Sequence, residues 1–268
     1  MAGLIITGIL VLIFSIAMTM VGKGGGNFYV VILAMAGVSM HEAATTGQFI
    51  LFAASVSAML IFHRNRSVSW PLAVSVGVFT SLAALGGGYF SHLFSGFYLK
   101  MIFAAMLAAA GAIMLIPASE RMDSEKANRF GIISIRSRVS TFHINLWVAL
   151  PAAIITGFGS GMVGVSGGSF LVPLMVIACG VPIRTAVGTA ATLIAATSLM
   201  GFAGHAVRGD FNPSWAVPLA VVAIGGGIVG SRISLRTGTL NLKRIFAFTN
   251  WLAALFMVFN ALHAGGVI

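Results

Sequence analysis

Two glycine-rich stretches hold the residues best placed to do chemistry. One is Gly22-Lys23-Gly24-Gly25-Gly26-Asn27. The other is Gly157-Phe158-Gly159-Ser160-Gly161, continued by Gly164-Val165-Ser166-Gly167-Gly168-Ser169. Each joins two apolar segments. Glycine allows positive φ and lets a ligand approach backbone N–H groups closely. A helix starting just after such a turn points its unpaired N–H groups and positive dipole end at it. That combination holds an anion with little formal charge. Lys23 adds a cation, and Asn27, Ser166 and Ser169 add neutral donors. The candidate contacts are therefore Lys23, Gly24, Gly25, Gly26 and Asn27 from one turn, and Ser166, Gly167, Gly168 and Ser169 from the other. Close helix packing is a competing use of the same glycines, since Gly22/Gly26, Gly157/Gly161 and Gly164/Gly168 keep GxxxG spacing. Lys23 also suits the cytoplasmic end of a first helix. At mid-membrane a lysine costs roughly 3 kcal/mol, so a buried one would need a role.

A second constellation follows each turn. His41, Glu42, Thr45, Thr46 and Gln48 come first, and Arg184, Thr185, Thr189 and Thr192 come later. His41 and Arg184 read as gate charges at two opposite mouths, or as ordinary interfacial residues. His205 follows a helix end and faces an outer vestibule in this reading, although a structural role suits it too. Thr46, Gln48 and Thr189 line the path. Thr46 and Thr189 also read as N-terminal caps of the helices they begin.

The elements that position these groups come in two similar sets. Gly25-Gly26-Asn27-Phe28 falls on Gly167-Gly168-Ser169-Phe170, Gly37-Val38 on Gly180-Val181, and Gly86-Gly87-Gly88 on Gly225-Gly226-Gly227. Leu99-Lys100-Met101-Ile102-Phe103-Ala104 falls on Leu242-Lys243-Arg244-Ile245-Phe246-Ala247. Duplication in an apolar chain is the mark of a transporter built from two repeats, with its site between them.

Composition sets the solvent. Hydrophobic residues are 59% and charged residues 7% of the chain, and the mean hydropathy is +1.04. Soluble domains do not look like this. Five apolar segments fall in each half: 3–21, 27–40, 44–62, 70–92 and 97–117, then 144–163, 169–182, 186–204, 214–232 and 245–262. The fold expected is all-α, a polytopic helical membrane protein of two inverted-topology repeats with about eight to ten membrane segments. Its broken or re-entrant segments lie near 22–40 and 157–182. Residues 1–117 form the first repeat, 118–141 a cytoplasmic linker and 142–268 the second repeat. The second segment of each half, about 14 residues and ~21 Å long, falls short of the ~30 Å hydrocarbon core.

The net charge of +10 comes from cations in short loops, the positive-inside pattern. It does not require nucleic acid. Arg64 and Arg66, the 118–141 linker, and the loop from Arg232 to Arg244 fall on the cytoplasmic side, and both termini on the other. Each half then crosses an odd number of times, which inverts one against the other. The single cysteine, Cys179, excludes an internal disulfide and a cysteine metal cluster. No cofactor or metal is expected. The partners expected are a small anionic substrate and the lipid bilayer, with a homodimer as an allowed assembly.

Residues 157–190 resemble the signature of the TauE/SafE family of sulfite exporters and organosulfonate permeases. The glycine-rich turn, the apolar strip with Pro173, and Ala186-Val187-Gly188-Thr189 follow the family order. Gly225-Gly226-Gly227 and Leu242-Lys243 also fit. In the first half Val31 stands where Pro173 would repeat, and Lys23 and Asn27 decorate the turn. The resemblance implies a permease of the bacterial inner membrane for small sulfur-containing anions such as sulfite or sulfoacetate, in the direction of export.

No GxxxxGK[ST] loop is present to hydrolyse ATP. Of the five acidic residues, Glu42, Glu120, Asp123, Glu125 and Asp210, none falls mid-span. The membrane potential is then the simplest driving force, expelling anions with about 2.3 kcal/mol per charge per 100 mV. Two rivals use the same residues. A passive anion channel would open both gates at once. An intramembrane serine hydrolase would use Ser166, in Gly164-Val165-Ser166-Gly167-Gly168, with His205 as its base.

Overall fold

A computed structural model describes residues 2–93, 96–115, 132–136, 141–165, 167–178, 180–207 and 211–264. Ten α-helices dominate it. In the first half they are α1 (Ala2–Met20), α2 (Gly26–Met35), α3 (Met40–Arg64), α4 (Trp70–Phe90) and α5 (Gly96–Leu115). In the second they are α6 (Leu146–Val163), α7 (Gly168–Pro173), α8 (Ile183–Ala206), α9 (Pro213–Arg236) and α10 (Thr239–Ala264). Among the described residues, six helices are long and apolar enough to cross a membrane: α1, α3, α4, α8, α9 and α10. Their outward faces carry Ile5, Ile9, Val78, Leu82, Val221, Leu255 and Phe259, all exposed, as lipid contact requires.

The expected segments appear, with three corrections. Two short strands, β1 (Ile132–Arg136) and β2 (Thr141–Asn145), pair antiparallel, Ile132 with Asn145 and Arg136 with Thr141. Part of the expected linker is therefore strand. The short segments are shorter still: α2 has 10 residues, about 15 Å at helical rise. The six-residue α7 runs into a π-helical turn, Leu174–Ala178. Pro173 lacks an N–H to continue the regular ladder, and the chain leaves through a Val181 N–H bond to the Met175 carbonyl at 3.0 Å. Finally, α3 and α8 start earlier than their apolar runs. Ser39 is the N-cap of α3, accepting from Glu42 N–H at 3.4 Å, and Pro182 is the N-cap of α8. Thr46 and Thr189 lie inside these helices and cap neither.

Helix pairings recur between the halves. α9 packs on α1 and α3; α4 packs on α6 and α8. Equivalent glycines make these contacts. A Cβ on Gly87 would stand 2.1 Å from the Phe158 carbonyl oxygen of α6, and one on Gly226 2.4 Å from Ser15 Cβ of α1. Likewise, Gly88 abuts the Gly201 carbonyl of α8, and Gly227 the Ala54 carbonyl of α3. Such approaches put backbone against backbone, where small residues gain dispersion contact. Hydroxyls lock them: Ser15 donates to the Ala223 carbonyl at 3.0 Å and Ser57 to the Ile224 carbonyl at 3.2 Å.

α3 and α8 form the centre, packed on each other and antiparallel. Gly188 near the start of α8 faces Ser67 just beyond α3, while Gly201 near the end of α8 faces Gln48 near the start of α3. α2 leads into the start of α3 and α7 into the start of α8. The two short helices therefore run toward opposite ends of the central pair.

Candidate functional site

The two glycine turns are built the same way. Gly22 N–H donates to the Thr19 carbonyl at 3.0 Å and Lys23 N–H to the Met18 carbonyl at 2.9 Å. Gly164 N–H donates to the Gly161 carbonyl at 3.3 Å and Val165 N–H to the Ser160 carbonyl at 3.0 Å. Both are Schellman ends with a left-handed glycine at the same place, φ 77 at Gly22 and φ 73 at Gly164, which only glycine adopts without steric cost. The following helices also start alike. Phe28 and Tyr29 N–H donate to the Gly25 carbonyl, as Phe170 and Leu171 N–H donate to that of Gly167.

The turns meet. A Cβ on Gly168 would stand 2.6 Å from the Gly22 carbonyl oxygen, 3.0 Å from Lys23 Cα and 2.5 Å from Ile194 Cδ1. Gly24 packs on Leu51 and Ser55 of α3 and on the same Ile194 of α8. Leu51 and Ile194 sit near the middle of their helices, so the meeting point lies deep within the bundle. Gly22 to Asn27 and Gly167 to Ser169 are all buried.

Lys23 is only 3% exposed. Its ammonium donates to the Phe246 carbonyl at 2.9 Å and to Thr249 Oγ1 at 2.6 Å, and lies 4.2 Å from the centre of the Phe246 ring. It does not mark a helix end at the surface. The N–H groups of Gly24, Gly25 and Gly26 have no acceptor among the described residues, which leaves the start of α2 electropositive. Nearby, Ser55 Oγ, Ser169 Oγ and Asn250 Oδ1 are buried with no hydrogen-bond partner. Asn250 Nδ2 reaches the Ser169 carbonyl at 3.5 Å. Met18, Lys23, Gly25 to Phe28, Thr249 and Ala253 close together here without leaving room for a water molecule.

The structure thus brings together Lys23, Gly24, Gly25, Gly26, Asn27, Gly167, Gly168 and Ser169. Ser166 lies outside the described residues. Sequence reasoning missed Ser55, Phe246, Thr249 and Asn250. The last two were visible as a polar pair inside an apolar span, a placement that marks function or a partner.

The other candidates lie apart. Thr189 Oγ1 accepts from Ser69 N–H at 3.0 Å, tying the start of α4 to α8. Thr46 is fully buried with Oγ1 unpartnered. Gln48 Nε2 reaches the Ser160 carbonyl at 3.4 Å, just before the second turn. His41 is exposed at the start of α3, and Arg184, exposed at the start of α8, donates to the Thr237 carbonyl at 3.1 Å. His205 is not at a mouth: it is 3% exposed, with Nε2 2.9 Å from the Gly161 carbonyl. Among the described residues no group of three His, Cys or carboxylate side chains could hold a metal.

Comparison with known proteins points to membrane transport. A family model described as "Sulfite exporter TauE/SafE" matches residues 6–257. A Bacillus subtilis protein named "Probable membrane transporter protein YunE" is 23% identical over 211 residues, covering 78% of this chain and 77% of its own. A Xylella fastidiosa "Probable membrane transporter protein" is 24% identical over 243 residues, covering 89% and 88%. No solved structure matches.

Proposed function

The chain belongs to the TauE/SafE sulfite exporter family and is a multi-pass membrane transporter, and on that premise we propose that it carries a small sulfur-containing anion, held where the two glycine turns meet. The observation that carries this is the contact of Gly168 with Gly22 and Lys23. It joins the start of α2, a lysine and the start of α7 deep inside the bundle. In the conformation described the turns leave no room for a ligand; once they part, an oxyanion such as a sulfonate or sulfite would accept from the N–H groups of Gly24 to Gly26, from Lys23, and from Ser55 and Ser169.

Two inverted repeats account for alternating access. The recurring pairings, the matched Schellman ends, and short helices running to opposite ends of α3 and α8 support that relation. One turn would open toward each side as the halves rock about the α3/α8 pair. His41 and Arg184 then flank opposite mouths. With arginines at the ends of α3 and α9 facing the cytoplasm of a bacterial inner membrane, both termini are extracytoplasmic. Residues 1–117 and 142–268 are the two repeats.

The potential drives export, since no carboxylate is buried among the described residues to couple a proton. Flux of radiolabelled methanesulfonate through proteoliposomes tests this. Uptake set by an imposed potential, saturable and independent of pH and sodium, is expected. Strict proton or sodium dependence would remove the uncoupled mechanism, and unsaturable flux without counterflow would favour a channel.

A further inference from the structure

Among the described residues, no carboxylate stands beside the buried Lys23 ammonium group. Its three neighbours, the Phe246 carbonyl, Thr249 Oγ1 and the Phe246 ring face, are all electron-rich. Thr249 spends its hydroxyl hydrogen on its own helix, with the Ile245 carbonyl 2.8 Å and the Phe246 carbonyl 3.0 Å away. A lone pair is therefore what it turns to Lys23. The cradle suits an ammonium and supplies no negative charge. The one carboxylate among the described residues, Glu42, stands at the first turn of α3, near the end where Gln48 lies and far from Leu51 and Ser55. The other described groups around the turns are neutral: the N–H groups of Gly24 to Gly26, Ser55, Ser169 and Asn250.

We propose that the substrate is the missing counter-charge: Lys23 neutralises one negative charge of the bound anion, so the loaded site crosses the membrane with no net charge. This rests on the reading of the turns as the anion site and deepens it. Two consequences follow. First, the site prefers a single negative charge, because a second would stay uncompensated in a low-dielectric interior. Two of the three ammonium N–H groups are already committed, leaving one for a substrate oxygen. Second, the membrane potential acts on the return of the empty, positively charged site rather than on the loaded one. Net flux responds to potential; one-for-one exchange does not.

The test is counterflow exchange of radiolabelled methanesulfonate, with equal concentrations on both sides of proteoliposomes, at zero potential and at about 100 mV. Wild-type exchange is expected to be unchanged by potential. In Lys23→Gln the loaded site would carry the full negative charge, and exchange should change more than about threefold. Sulfate, a dianion, should compete with methanesulfonate at least about tenfold less well in wild type, and that gap should not narrow in the variant, where the dianion loses twice the attraction that the monoanion loses. If Lys23→Gln does not fold, wild-type exchange decides alone. A rate that shifts more than about threefold with potential, or sulfate competing equally, overturns the role of Lys23 while leaving the anion site standing. Absence of any methanesulfonate exchange in wild type overturns both.

Discussion

Gly168 stands so close to Lys23 that a Cβ at position 168 would lie 3.0 Å from the Lys23 Cα. The two residues are far apart in the chain and belong to different halves, yet they form the joint between the two glycine turns. Gly168→Ala would press a methyl group on the Gly22 carbonyl and on Ile194 and force the turns apart. Overpacking of this kind costs about 1–3 kcal/mol. The expected result is a lowered unfolding midpoint in detergent and loss of anion flux. Gly159→Ala, where a Cβ would meet nothing within 4 Å, should leave flux unchanged and raise the midpoint slightly, alanine being the better helix former by about 0.5–1 kcal/mol.

Matched packing glycines should respond alike. Gly87→Ala meets the Phe158 carbonyl and Gly226→Ala meets Ser15, so each should destabilise by about 1–3 kcal/mol. Gly225→Ala, with open space around it, should not destabilise and should gain about 0.5–1 kcal/mol from the better helix former. Thermal unfolding of the three variants checks this. A large loss at only one of the two matched positions would argue against equivalent roles in the halves.

Much of this was legible in the sequence because membrane helices announce themselves by apolar length. The alignment of Gly37 with Gly180 also carried over: both have positive φ and end the short elements. Helix starts were less legible. His41 and Glu42 are polar, so the apolar run begins later than α3, whose start is fixed by the Ser39 cap. The α10 wall of the site could not be read from spacing. Lys23 and Thr249 are 226 positions apart, and only folding shows that a lysine in the first turn is held by the last helix. The β1–β2 strand pair was hidden in and just beyond a segment whose composition reads as a linker.

Arg66 is the one non-glycine residue at positive φ among the described residues, with φ 55. It ends α3 in the place glycine occupies at Gly22, with its N–H on the His63 carbonyl at 3.0 Å and Ser67 N–H on the Phe62 carbonyl at 2.9 Å. A β-carbon in this conformation costs about 1–2 kcal/mol, partly offset by the greater unfolded entropy of glycine. Arg66→Gly should raise stability by about 0.5–1 kcal/mol, seen as a higher unfolding midpoint with unchanged flux.

The proposed anion site is where Lys23 meets the second turn. Calorimetric titration of purified protein with methanesulfonate tests it most directly, in wild type, Lys23→Gln and Ser169→Ala. Saturable binding in wild type, weakened at least about tenfold by Lys23→Gln and measurably by Ser169→Ala, is the predicted result. Binding of equal strength in all three proteins would place the anion away from Lys23 and Ser169 and rule this site out.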